Sequence, residues 1–185
     1  AAGEAFDKAA KILGLPYPGG PIIDRLAKTG DREKYQFPRS FLPKTRSYSE
    51  ENKLNFSFSG VKTSLLNLVK KNWKDGIVPD EDLPDLLASY QDAIVDVLST
   101  KLKMAAESYG ARTLLLCGGV ACNSAIRERV QKMAIKSAKE LILTPPKYCT
   151  DNAAMIAGLG YHYLKDPGFA GEFVEASGRA PIIEK

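Results

Sequence analysis

Residues 113–152, TLLLCGGVACNSAIRERVQKMAIKSAKELILTPPKYCTDN, contain two short apolar runs, each followed by a polar loop. TLLLC (113–117) leads into GGVACN (118–123), and ELILTPP (140–146) leads into KYCTDN (147–152). A short continuous apolar run bounded by glycine or proline reads as a buried strand. Between the two runs, the stretch from Ser124 to about Ala138 reads as a helix, and AAMIAGLGYHYL (153–164) reads as another. Strand, loop, helix, strand, loop, helix is a βαβα unit, and a helical crossover makes its two strands parallel.

In α/β folds, ligands sit beyond the carboxyl ends of the strands, where loops turn into helices. Both loops have that address. Gly118 and Gly119 lack the Cβ atoms that would hold a ligand away from the backbone, and the following helix offers free N–H groups to an anion or nucleotide. Asn123, one turn on, could hydrogen-bond a sugar hydroxyl. A tight strand-to-helix turn explains the two glycines equally well. In the second loop, Thr150, Asp151 or Asn152 could cap the next helix; alternatively, Asp151 is a hard oxygen ligand for a metal. One carboxylate cannot make a metal site alone.

Upstream, residues 2–13 place Ala5, Ala9, Ile12 and Leu13 on one helical face, with Gly14 at the C-cap. LPYPGGP (15–21) is read as non-helical, with Pro21 opening a short helix that Gly30 stops. Asp7 and Asp24 flank Gly19 and Gly20, and together they could clamp ribose hydroxyls. Each acid also has a plainer role, as a solvent-exposed charge or as a carboxylate in the first turn of a helix. Residues 31–55, with Pro38 and Pro43, read as a long loop. NFSFSG (55–60) alternates like a strand, and Ser57, Ser59, Gly60 and Lys62 resemble a further contact loop before a helix that ends near Gly76. The strongest helical pattern runs over 80–109, where Leu86, Leu87, Tyr90, Ile94, Val97, Leu98, Leu102 and Ala105 recur at three and four and Gly110 ends it. The tail from Asp166 reads as irregular. As domains, residues 1–185 read as one lobe: a mainly helical segment (1–110) with the long loop at 31–55, a βαβα core with the candidate nucleotide and metal loops (111–165) and the tail (166–185).

The 185 residues are 44% hydrophobic and 26% charged, the balance of a globular protein with a core that needs no disulfides. Cys117, Cys122 and Cys149 give an odd count without CxxC spacing, which fits a reducing compartment with single buried thiols and argues against a disulfide scaffold or zinc knuckle. The net charge of +4 is unevenly spread. Arg25, Lys28, Arg32, Lys34, Arg39, Lys44 and Arg46 form a basic segment beside Tyr35, Phe37 and Phe41, which could meet a phosphate backbone or be a solvated loop face. From Asp80 to Asp96 there are six acids and no Lys or Arg. No apolar run approaches the roughly 20 residues that span a bilayer. The one histidine, His162, reads as a surface or partly buried residue, and no Walker A, nucleophile elbow, HExxH or Ser/His/Asp set occurs.

Five strings in order, GEAFDKAAKILGLPYPGGPIIDRLA, FPRS, NFSFSGVKTSLL, CGGVACNSAIRERV and KYCTDNAAMIAGLGY, closely resemble the TsaD family, formerly called O-sialoglycoprotein endopeptidases. Together with the tail SGRAPI they cover most of the chain. The resemblance implies the C-terminal lobe of an ATPase fold of the actin, Hsp70 and sugar-kinase (ASKHA) type, helix-rich α/β. It implies transfer of threonylcarbamoyl from threonylcarbamoyl-AMP to N6 of adenosine 37 in ANN-decoding tRNAs. It also implies one divalent metal, iron or zinc, and an ATP- or AMP-like nucleotide. In the family pattern, positions matching Asp7, Gly20, Asp24 and Asn123 hold the nucleotide, and Asp151 matches a metal-binding aspartate.

The resemblance also exposes departures. The family's HxxxH metal motif lies upstream, and a chain with one histidine cannot contain it. Ala153 stands where Gly is usual, and Cys122 where Ala or Ser is common. The expectation is therefore a lobe truncated on its N-terminal side, inactive by itself, whose parent acts in the cytoplasm with tRNA and other proteins of the threonylcarbamoylation machinery. The missing N-terminal lobe is a partner in the same sense, and pairing of two fragments through an exposed sheet edge is a further expectation. The alternative is a non-catalytic lobe that binds a nucleotide or a protein.

Overall fold

The computed structural model describes residues 1–165. Residues 1–150 form one compact unit and those from Asp151 onward a second. The expected irregular tail, 166–185, lies outside the described residues.

The first unit is organised by one long helix. Helix α1 spans Ala2–Ile12, α2 Gly19–Leu26, α3 Ser59–Asn72 and α4 Leu83–Ser108. The 26 residues of α4 cover about 39 Å at 1.5 Å per residue. Its N-terminal half is buried against α1, α2 and α3 through Leu86, Leu87, Tyr90 and Ile94. Its C-terminal half packs on the sheet layer through Val95 and Ala106. Asp82 precedes the helix and Pro84 lies in its first turn, where the missing N–H is no loss. Gly110, at φ 63°, closes its C-terminus.

Tyr90 is fully buried at the centre of the helical core. Its ring meets Phe37 edge-on at 5.4 Å and Phe6 at 6.5 Å, and its hydroxyl donates to the Ala5 carbonyl at 2.9 Å. Burial pushes the phenol well above its ordinary range. Each buried polar group near α4 is satisfied in this way, and among the described residues no buried side-chain N or O lacks a partner. Lys101 is the sharpest case. It is 1% exposed, and its ammonium donates to the carbonyls of Phe41 and Lys53 at 2.6 Å each, stapling the 31–55 loop to α4.

Strands β1 (Thr113–Leu116) and β2 (Glu140–Leu143) pair in parallel with Thr113 opposite Glu140 and Leu116 opposite Leu143. Helix α5 (Ser124–Lys136) is the crossover and covers one sheet face with Ile126, Val130 and Ala134. The expected βαβ unit is thus present in a helix-rich α/β structure with a small parallel sheet. Helix α6 (Ala153–Leu164) belongs to the second unit.

Two readings of the sequence are corrected. Residues 55–60 are not a strand: among the described residues no neighbouring strand pairs with them, so the alternation of Phe56 and Phe58 serves a loop that gives way to α3 at Ser59. And α2 begins at Gly19, not Pro21. The Asp7 carboxylate accepts from the Gly19 N–H at 2.9 Å, which lets both glycines enter the first turn.

Candidate functional site

Two side-chain contacts draw four of the sequence-predicted residues into one neighbourhood. Asp7, on α1, holds the N–H of Gly19, the residue before Gly20. Gly20 and Asp24 are four apart on α2 and share a helical face. The Asp24 carboxylate then reaches the start of α5, accepting from the Ser124 N–H at 3.1 Å and the Ser124 hydroxyl at 2.8 Å. Ser124 adjoins Asn123, so Asp7, Gly20, Asp24 and Asn123 lie along one path from α1 across α2 to the amino end of α5. A carboxylate at that end is favoured by the helix dipole.

Local sequence explains why the helices approach so closely. A Cβ built on Gly19 would lie 2.6 Å from the Ala10 Cβ and 2.7 Å from the Phe6 carbonyl oxygen, so only glycine permits this crossing of α1 and α2. At Gly20 a Cβ would meet nothing within 4 Å, so packing does not require a glycine there. Gly118, at the end of β1, has φ 85° and ψ 166°, a conformation open essentially to glycine alone. It turns the chain into the short 3-10 segment Gly119–Cys122, with Gly119 in open space.

Asn123 has a structural task as well as an address. It is 8% exposed; its Oδ1 accepts from the Ile126 N–H at 3.1 Å and caps α5, and its Nδ2 donates to Gln91 Oε1 at 2.6 Å. Gln91, itself buried on α4, thereby fixes which way the amide faces. Sequence reasoning missed Gln91, because a polar residue inside an apolar helix pattern has no partner visible in one dimension. It also missed Arg127. This guanidinium donates to the Ala121 and Thr144 carbonyls, tying together the loops at the carboxyl ends of both strands.

A cleft of about 190 Å³ adjoins this network, lined among others by Lys28, Arg32, Gln91, Ser124 and Arg129. It is smaller than the several hundred Å³ of an ordinary nucleotide pocket, so the open surface along α2 is the better candidate for a nucleotide.

In the second unit, Asp151 is exposed at the start of α6. The helix is capped by Asn152, whose Oδ1 accepts from the Met155 N–H at 3.2 Å. The capping alternative for Asp151 is thereby removed. His162 is exposed and stands edge-on to Tyr161 at 5.7 Å. In the first turn of α3, Lys62 is held by Glu4 at 3.0 Å.

The sequence pattern of the family described as TsaD, tRNA N6-adenosine threonylcarbamoyltransferase, matches residues 1–158. The chain belongs to that family. Among relatives named tRNA N6-adenosine threonylcarbamoyltransferase, that of Thermosipho africanus is 49% identical over 165 residues, 89% of this chain and 47% of its own length. That of Geobacter metallireducens is 50% identical over 166 residues, 89% of this chain and 46% of its own. That of Thermodesulfovibrio yellowstonii is 44% identical over 183 residues, 98% and 52%. The chain spans about half the length of the curated relatives it matches.

The divalent metal that the family resemblance implies has no complete ligand set among the described residues. No group of three or more His, Cys, Asp or Glu that could hold a metal ion exists among the described residues, and a metal centre needs three or four protein ligands. The present residues therefore do not fit the metal by themselves. The basic segment also looks different in three dimensions. Phe37 is core, Tyr35 packs on Trp73 at 6.3 Å, and Phe41 sits under the Lys101 ammonium at 5.8 Å, so these aromatics support the loop from within. Arg39 and Lys34 are taken up by the acids of α4. Lys44 and Arg46 remain exposed. Among the described residues, no helix is long and apolar enough to cross a membrane.

Proposed function

We propose that this chain forms the adenylate-holding part of a tRNA N6-adenosine threonylcarbamoyltransferase, a lobe of the actin and sugar-kinase type working on tRNA in the cytoplasm. The observation that carries the reading is the path of Asp7, Gly20, Asp24 and Asn123 along α2, with the Gly118–Gly119 turn at its far end. Two carboxylates and an open glycine suit ribose hydroxyls and a flat base, and the open backbone of the Gly118–Gly119 turn suits a phosphate.

In the reaction, the N6 amine of adenosine 37 attacks the carbamoyl carbon of threonylcarbamoyl-AMP. The new C–N bond forms as the bond from that carbon to the phosphate oxygen breaks; AMP leaves, and the amine proton passes to solvent. Holding the adenylate rigid is this chain's contribution, because positioning lowers the barrier without a covalent intermediate. Asp151 would offer one oxygen to a divalent iron or zinc whose other ligands come from beyond the described residues. Exposed Lys44 and Arg46 would face tRNA phosphates.

The test is a chimera in which this chain replaces the matching half of the Thermosipho africanus enzyme. It is assayed with threonylcarbamoyl-AMP and an ANN-decoding tRNA by mass spectrometry of nucleosides. The reading expects transfer that Asp24→Asn and Asp151→Ala each abolish. A well-folded chimera that binds AMP yet leaves the tRNA unmodified would favour a non-catalytic binding lobe instead.

A further inference from the structure

Two thiols that the proposed function does not use meet between the strand-end loops. Cys122 closes the Gly119–Cys122 turn and is exposed, whereas Cys149, in the loop after β2, is buried. They converge on one proline pair. Cys122 Sγ lies 3.7 Å from the Pro146 carbonyl oxygen, and Cys149 Sγ 3.6 Å from that of Pro145 and 3.4 Å from that of Thr144. Both sulfurs are thus in contact with the carbonyls of one three-residue run, Thr144 to Pro146. Arg127 completes the cluster, donating to Cys149 Sγ at 3.6 Å while holding the carbonyls of both loops. Cys117 is exposed at the end of β1 and takes no part in these contacts.

We propose that Cys122 and Cys149 form a reversible disulfide, a modification site that clamps the 118–123 loop to the 144–150 loop. The division of exposure assigns the roles: the exposed thiol meets the oxidant and the buried one resolves it. With a peroxide as oxidant, the Cys122 sulfur attacks the O–O bond and becomes a sulfenic acid while the other oxygen leaves as water. The Cys149 sulfur then attacks Cys122 Sγ; the S–O bond breaks, the S–S bond forms, and the second oxygen leaves as water. Two thiols and one peroxide thus give one disulfide and two waters, with two electrons passing from sulfur to oxygen. Thiol exchange reverses the link. Partial burial and then Cys149 hold the Cys122 thiol above its usual range, which lowers its thiolate fraction and slows its first oxidation. Because Cys122 ends the turn that leads into Asn123, the clamp would set the mobility of the very loop on which α5 begins. None of this depends on the proposed transferase reaction.

The experiment treats the full chain with hydrogen peroxide, alkylates it, and maps its disulfides by mass spectrometry without reduction, beside a urea-unfolded control. The expected product is a Cys122–Cys149 linked peptide that dominates only in the folded chain, with Cys117 still alkylated and full reversal by dithiothreitol. Amides of 118–123 and 144–150 should exchange with deuterium several-fold more slowly in the oxidised chain. Cys122→Ser, an exposed substitution, should remove the link. The proposal is overturned by a major disulfide containing Cys117, by the same mixture from the unfolded chain, by over-oxidation without a link, or by unchanged exchange in the linked chain.

Discussion

Gly19 and Gly20 stand side by side in the sequence and do different work. At Gly19 an added methyl runs into the Ala10 side chain and the α1 backbone, and backbone cannot move aside cheaply. Gly19→Ala should therefore cost about 1–3 kcal/mol in urea unfolding, the usual range for overpacking. Gly20→Ala meets open space and should change stability by less than about 1 kcal/mol, while removing AMP binding if Gly20 lies under the nucleotide. Equal losses of stability would contradict this division. From the sequence, the two glycines were one feature, because a close approach between helices is a property of the packed pair and not of either string. Asn123 shows the same limit. Its address at a strand-to-helix turn was legible, but its capping of α5 and its bond to Gln91, 32 residues away in sequence, were not.

Among the elements, the helices were legible because their apolar residues recur at three and four, and the parallel strand pair because two short continuous apolar runs flank a helix; Gly14, Gly76 and Gly110 take positive φ beyond helix ends. Residues 55–60 misled because a period of two needs a neighbour to become a strand, and one string does not reveal whether a neighbour exists. The 31–55 loop is held to α4 by ionic contacts that periodicity cannot show. Arg39 bridges Asp92 and Asp96 at 2.9 and 2.7 Å, and Arg129 of α5 bridges the same two acids at 2.7 and 3.3 Å. Arg39→Ala should cost about 1–3 kcal/mol, between the exposed and the buried extremes for ion pairs. Removing Arg129 as well should cost more than the sum, because two carboxylates one turn apart then face each other without a cation. A double-mutant cycle in urea measures that excess, and strict additivity would show that the two arginines act separately.

At the other end of the loop, the Lys34 ammonium and then the Asp31 N–H hold the Asp85 carboxyl below its ordinary 3.8. A carboxylate depressed in the folded state adds stability above its unfolded value and loses it as the pH falls through its folded value. Asp85→Asn should accordingly lower the urea midpoint near neutral pH, and the gap from the parent should close in acid. A gap independent of pH would mean that Asp85 acts by packing alone.

On the scale of the whole molecule, the uneven charge of the sequence resolves into internal pairing. The acidic stretch from Asp80 to Asp96 takes up Lys34 and Arg39, which leaves a smaller basic surface than the sequence implied. If Lys44 and Arg46 contact tRNA phosphates, exchanging both for Glu should weaken tRNA binding and flatten its salt dependence by about one unit of slope per lost contact. Unchanged binding would remove the contact. The family was legible from five ordered strings, whereas a metal centre was not, since Asp151 is one candidate oxygen and no cluster among the described residues completes a site around it.

The central claim, that the path from Asp7 through Gly20 and Asp24 to Asn123 is an adenylate surface, is tested most directly by amide chemical-shift mapping of the full chain during titration with AMP. This readout registers even millimolar binding. The account predicts saturable shifts concentrated in Gly19–Asp24 and Gly118–Ser124, lost in Gly20→Ala. Shifts confined to the basic cleft around Arg32 and Arg129, or no shifts at millimolar AMP, would contradict it.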